Sequence, residues 1–139
     1  MRVEDAFVVA VSRSRAKEAH GRWIPVEYWL EKLQYILSEI DIFTKRLTPK
    51  KLITKLEKRG FLDREFNLPA DKESFGAIVT RIHSNHKKIN VEDGTGGTKE
   101  KTVHFLFLES KTKQPPSWST LDMWQGSYEK FLCRQTHQL

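Results

Sequence analysis

The stretch from Asp71 to Leu108 constrains the fold most, because it sets one periodic pattern directly against another. From Asp71 to Ile89 the apolar residues fall at Phe75, Ile78, Val79, Ile82 and Ile89. That three- and four-residue spacing predicts a long helix with one buried stripe. Its other face carries Ala77, Thr80, Arg81, Ser84, Lys87 and Lys88, short polar and cationic side chains. Asn90 to Lys101 follow, with Gly94, Gly96 and Gly97 near the middle, and read as a flexible hairpin loop. Thr102 to Leu108 then form an apolar run suited to a strand.

Upstream, the chain supplies helices for this stretch to pack on. Trp23-Ile24-Pro25 predicts a helix start with proline in the first position, where its missing N–H had no partner to lose. Val26, Trp29, Leu30, Leu33, Leu37 and Ile40 continue it as an apolar stripe that reads as core. Thr48 and Pro49 predict the next helix, with threonine as N-cap; Gly60 suits a left-handed closing residue, and Phe61 folds back on it. Leu52, Ile53 and Leu56 would face inward. Between Thr44 and Gly60 the basic residues are Lys45, Arg46, Lys50, Lys51, Lys55, Lys58 and Arg59, against Glu57 as the single acid. Phe61 to Ala70 reads as a connector, with Asp71 capping the long helix.

The ends are less regular. Phe7 to Val11 fits a strand, or the apolar face of a helix running on to Gly21. Glu109 to Pro116 is a polar, proline-broken linker. Leu121, Trp124, Tyr128 and Leu132 then predict a final amphipathic helix, packing on the domain or on a second copy of the chain. The expected fold class is mainly α with a small β-hairpin (α+β). Its parts are an N-terminal extension (1–22), a domain (23–110), and a linker with C-terminal helix (111–139).

At 139 residues, with 38% hydrophobic and 30% charged side chains, the chain reads as one soluble domain rather than a disordered segment. A net charge of +6 favours a polyanionic partner, nucleic acid before an anionic membrane. Cys133 is the lone cysteine, so no intrachain disulfide can form. A reducing compartment is expected, cytoplasmic and nucleoid-associated, or nuclear in a eukaryote. The apolar run from Ala6 to Val11 is too short for a membrane span and lacks the pattern of a secretory signal. No repeat, cofactor motif or small-molecule site stands out.

Element order and charge placement from Trp23 to Leu108 resemble the winged-helix branch of helix-turn-helix proteins. The resemblance implies a recognition helix in the major groove of double-stranded DNA and a wing against the flanking backbone. Carried onto this chain, the Asp71–Ile89 helix would be the reader, with Thr80, Arg81 and Ser84 toward base edges and Lys87 and Lys88 toward phosphate. Lys45, Arg46, Lys50, Lys51 and Lys55 would grip the backbone, joined by Lys99 and Lys101 on the wing. The chain is then a non-catalytic DNA-binding protein, a regulator or accessory factor, with the final helix able to form a homodimer. A protein-interaction module is a third reading.

Three other chemistries compete. Phe107-Leu108-Glu109-Ser110-Lys111, an apolar strand ending in ExK, resembles the half-motif of PD-(D/E)xK nucleases. There two carboxylates hold Mg²⁺ and the lysine steadies the attacking water. Asp93 would be the second acid, with Glu109 and Lys111 on one side of the strand. His83, His86, Cys133 and His137 could supply a zinc site, although a satisfied core-edge histidine is the plainer reading. Gly94-Thr95-Gly96-Gly97-Thr98-Lys99 lacks the GxxxxGK[ST] spacing of a phosphate loop, and no helix follows it. No metal and no catalytic residue are therefore assigned.

Overall fold

A long strand, paired antiparallel with the one that follows it, occupies residues 81–89 of the stretch in which the spacing predicts a helix. The computed structural model describes residues 2–14, 22–39, 47–62, 72–76, 79–111 and 121–137. In chain order these form α1 (Val3–Arg13), β1 (Trp23–Pro25), α2 (Val26–Glu39), α3 (Pro49–Arg59), α4 (Lys72–Phe75), β2 (Arg81–Glu92), β3 (Thr98–Glu109) and α5 (Leu121–His137). The described residues thus form a mixed α+β structure with a three-stranded antiparallel sheet ordered β1-β3-β2. The mainly α expectation is corrected by β2 and β3, each 12 residues long.

Among the described residues, the helix predicted from Asp71 to Ile89 is reduced to the four residues of α4. Gly76, just after it, has a left-handed backbone at φ +59°, which stops the turn. Val79, Ile82, Ile89 and Val91 are β-branched and pack well on a pleated surface, and β3 provides a full-length partner. The register runs unbroken from Arg81 opposite Glu109 to Glu92 opposite Thr98, so the tip is only residues 93–97.

Strand alternation divides the hairpin into two faces. Arg81, His83, Asn85, Lys87, Ile89 and Val91 share one face with Lys99, Lys101, Val103, Phe105 and Phe107. On it α5 lies: the Trp124 ring sits 4.5 Å from Trp23 and 4.7 Å from Phe105, and Ser127 Oγ donates to the Trp23 carbonyl at 2.8 Å. Ile82, Ser84, His86 and Lys88 share the other face with Thr102, His104, Leu106 and Leu108, and this face meets the helices. Phe131, not the expected Leu132, joins Trp124 and Tyr128 in the buried row of α5, which packs on the chain's own sheet.

The helical layer is built as its apolar spacing dictates. Val26, Trp29, Leu33 and Leu37 of α2 are buried, and the ring of Phe7 on α1 meets Trp29 at 5.4 Å and Phe75 at 6.3 Å. Residues 3–13 therefore form a helix within the common core, through Ala6, Phe7, Ala10 and Val11. Pro25 closes β1 opposite Phe105 instead of opening α2. It is tolerated because β1 is an edge strand. Ile40, Asp71, Ile78 and residues 112–120 lie outside the described residues. No helix among the described residues is long and apolar enough to cross a membrane.

Candidate nucleic-acid interface

The helix α3 is fixed at both ends by its own sequence. Thr48 Oγ1 accepts from the Lys51 N–H at 3.3 Å, Pro49 fills the first turn, and Gly60 closes the helix at φ +83°. The Phe61 N–H then reaches back to the Leu56 carbonyl at 3.0 Å, and the Phe61 ring is buried. Leu52, Ile53 and Leu56 seal one side into the core. The other side presents Lys50, Lys51, Thr54, Lys55, Lys58 and Arg59 to solvent, with the Arg59 guanidinium 5.1 Å from the Phe61 ring centroid. At 100° per residue these positions spread over about half the circumference, with Glu57 at the margin and half-buried. Lys45 and Arg46 lie outside the described residues.

The residues assigned to base reading do not form a row. Thr80 is tied to the sheet entrance, its N–H donating to the Glu109 carbonyl at 2.7 Å and its hydroxyl to the same oxygen at 3.1 Å. Arg81 is half-buried opposite Glu109, and Ser84 is buried on the opposite face. Lys87 lies half-buried with its ammonium 6.0 Å from the Trp124 ring centroid. Insertion of a 71–89 helix into the major groove is therefore overturned by the strand and by the burial of these side chains. Lys88 alone of the group projects into solvent on the α3 side.

The hairpin lysines are differently placed from one another. Lys101 donates to the Tyr128 hydroxyl at 3.1 Å and lies 4.0 Å from the Glu27 carboxylate. The hydrogen bond to Tyr128, helped by the Glu27 charge, holds its ammonium above the usual lysine range. Burial pushes the Glu27 carboxyl up despite its own backbone N–H and the Lys101 charge. Lys99 is exposed near the tip, next to Glu100. There Asp93 Oδ1 accepts from the Thr95 hydroxyl and from its N–H at 2.8 Å, which lowers the Asp93 carboxyl below its usual range. This Asx-type turn, with Gly94 and Gly96 at positive φ, is a hairpin tip and not a phosphate loop.

Between α3 and the foot of the hairpin lies a cleft of about 410 Å³, lined by Lys50, Ile53, Thr54, Ser84, Asn85, His86 and His104. His86 and His104 are register partners whose ring centroids stand 5.6 Å apart. Sequence reasoning missed this pairing, because it depends on a register set by the hairpin and not by any local spacing.

The competing chemistries are taken apart by the same register. Asp93 sits at the hairpin tip and Glu109 at the opposite end of β3, eleven positions beyond Thr98, or about 36 Å. Glu109 is hydrogen-bonded to His83 on β2, while Lys111 is exposed past the strand end. His83 and His86, three apart on a strand, point to opposite faces, and Cys133 is exposed on α5. Among the described residues no group of three or more metal-ligating side chains converges. Comparison with protein-family models, curated proteins and solved structures returned no match.

Proposed function

We propose that the chain is a nucleic-acid-binding module of the winged-helix type, with double-stranded DNA as ligand and α3 as the helix laid against it. The observation that carries this reading is the exposed side of α3, where five cations stand on a helix whose back is sealed in the core. The likeness to winged-helix proteins, a basic helix followed by a β-hairpin, thereby moves from the 71–89 stretch to α3 and the β2–β3 pair. Charge on that surface is dense enough to displace several condensed counterions at once. The hairpin then adds its α3-facing foot and not its tip, because Glu92, Asp93 and Glu100 place acid there. Thr54 is the single neutral side chain within the exposed arc, which favours backbone contact over base reading.

A mobility-shift titration with duplex DNA over a range of salt tests the reading. With four or five phosphates neutralised, the logarithm of affinity should fall with that of salt at a slope of about −4. A slope near zero, or no duplex binding, overturns it.

A further inference from the structure

The cleft at the hairpin foot brings together groups that lysine-only phosphate binding would not need. Lys50 and Thr54 come from α3, while Ser84, His86 and His104 come from the paired strands. Ser84 is 7% exposed, and its hydroxyl makes no hydrogen bond among the described residues. No carboxylate lines the cleft. Along the same sheet face the next positions are Lys88 and Thr102, and the acids Glu100 and Glu92 come only further toward the tip. On α3 the acid Glu57 shares the face of Lys50, Ile53 and Thr54, one turn beyond Ile53, but does not line the cleft. The Thr54 hydroxyl donates to the Lys50 carbonyl at 2.9 Å. The Lys50 ammonium, the Ser84 hydroxyl and the two imidazoles can donate to one anion there.

We propose that this cleft is a phosphate subsite for the nucleic-acid backbone, charged by proton uptake on His86 and His104. The inference rests on the reading of the chain as a nucleic-acid-binding module. Histidine is the side chain whose charge ordinarily changes between pH 5 and 8. Two imidazolium rings with centroids 5.6 Å apart, beside Lys50, repel one another when the cleft is empty. A phosphate seated between them accepts a hydrogen bond from each and removes that repulsion. Binding and protonation then favour each other, so acid strengthens the complex. Lysine contacts alone carry no such dependence over this range, since lysine stays charged throughout.

The test is the affinity for a short mixed-sequence DNA duplex at constant salt, at about pH 7.5 and about pH 5.5. It is made on the wild type, on His86→Gln/His104→Gln and on Lys51→Glu/Lys55→Glu. The wild type should bind about tenfold tighter at the lower pH, while the histidine double variant loses that gain. The single variant His86→Gln, which alters an exposed side chain, should lose part of the gain without disturbing the fold. A flat wild-type profile, or a gain retained by the double variant, overturns the subsite. In that case loss of binding in Lys51→Glu/Lys55→Glu still leaves the α3 reading standing. Unchanged binding by the lysine variant, with a pH gain that needs the histidines, overturns α3 and keeps the cleft. No duplex binding at either pH overturns both.

Discussion

The helix α3 and the β2–β3 hairpin each carry five cations, yet only one of them presents a cationic surface. On α3, Lys50, Lys51, Lys55, Lys58 and Arg59 fall within one exposed arc, because positions three and four apart are neighbours on a helix. On the hairpin, alternation splits the charges. Arg81, Lys87, Lys99 and Lys101 share the face on which α5 lies, and Lys88 is left on the face toward α3. Lys101 and Lys87 are further occupied by Tyr128 and the Trp124 ring. Glu92, Glu100 and Glu109 offset the strands, whereas α3 carries Glu57 alone. A count of lysines becomes a binding surface only once the period of the element is known.

The strongest way to break this contrast is to loosen α5. Trp124 is fully buried between Trp23 and Phe105, so Trp124→Ala should cost about 3–5 kcal/mol in denaturant unfolding. Because α3 lies on the other side of the sheet, the folded variant should keep its duplex affinity within a few-fold. An affinity that collapses while the helical circular dichroism persists would move the interface to the hairpin's α5 face. Next in size is Lys51→Glu/Lys55→Glu, expected to weaken duplex binding by about a hundredfold, as lost phosphate contacts become like-charge repulsion. Lys99→Glu at the hairpin tip should change affinity by no more than about threefold, as its neighbours are already acidic. Equal losses from the two variants would erase the distinction.

The two regions also differ in how far the sequence announces them. Punctuation marks α3 at both ends: Thr48 and Pro49 before it, Gly60 after it. Local signals and tertiary packing agree there, and the core-facing Leu52, Ile53 and Leu56 follow directly. The 71–89 stretch has no such closure, and Gly76 interrupts it. Its helical spacing is misleading for a physical reason. Ile82 and Ile89, seven apart, would stack on one face of a helix, but on β2 they lie on opposite faces. Both are buried because layers cover the sheet from both sides. Burial on two faces hides the period-two pattern that otherwise reveals a strand. The cationic half of the candidate site was thus legible. The His86–His104 half was not, since it exists only through pairing with a distant strand.

Gly60 permits a smaller test of the same agreement. Its backbone is left-handed and nothing lies within 4 Å of an added Cβ, so Gly60→Ala meets only backbone strain, about 1–2 kcal/mol. Thermal unfolding should show that loss, while duplex affinity stays within about threefold because Lys50, Lys51 and Lys55 stand on the earlier turns. A fall in affinity larger than the fall in stability would mean that Lys58 and Arg59 at the frayed end carry much of the contact.

The smallest expected effect concerns Glu27, the acid beside Lys101. Burial raises its carboxyl above the ordinary value, so the folded state holds this proton more tightly than the unfolded chain. Its contribution to stability is then greatest while the carboxyl is protonated, and declines as pH rises through the unfolded and then the folded value. Unfolding free energy of the wild type minus that of Glu27→Gln should therefore decrease between about pH 4 and neutrality. An increase over that window would mean that attraction to Lys101 outweighs burial. Lys101→Met, by removing the opposing charge, should deepen the decrease, and Lys99→Met, exposed near the tip, should leave it alone. Should both lysine variants behave alike, Lys101 is no more committed to the fold than Lys99. The hairpin's lysines would then be as available as those of α3, and their exclusion from the interface would lose its physical basis.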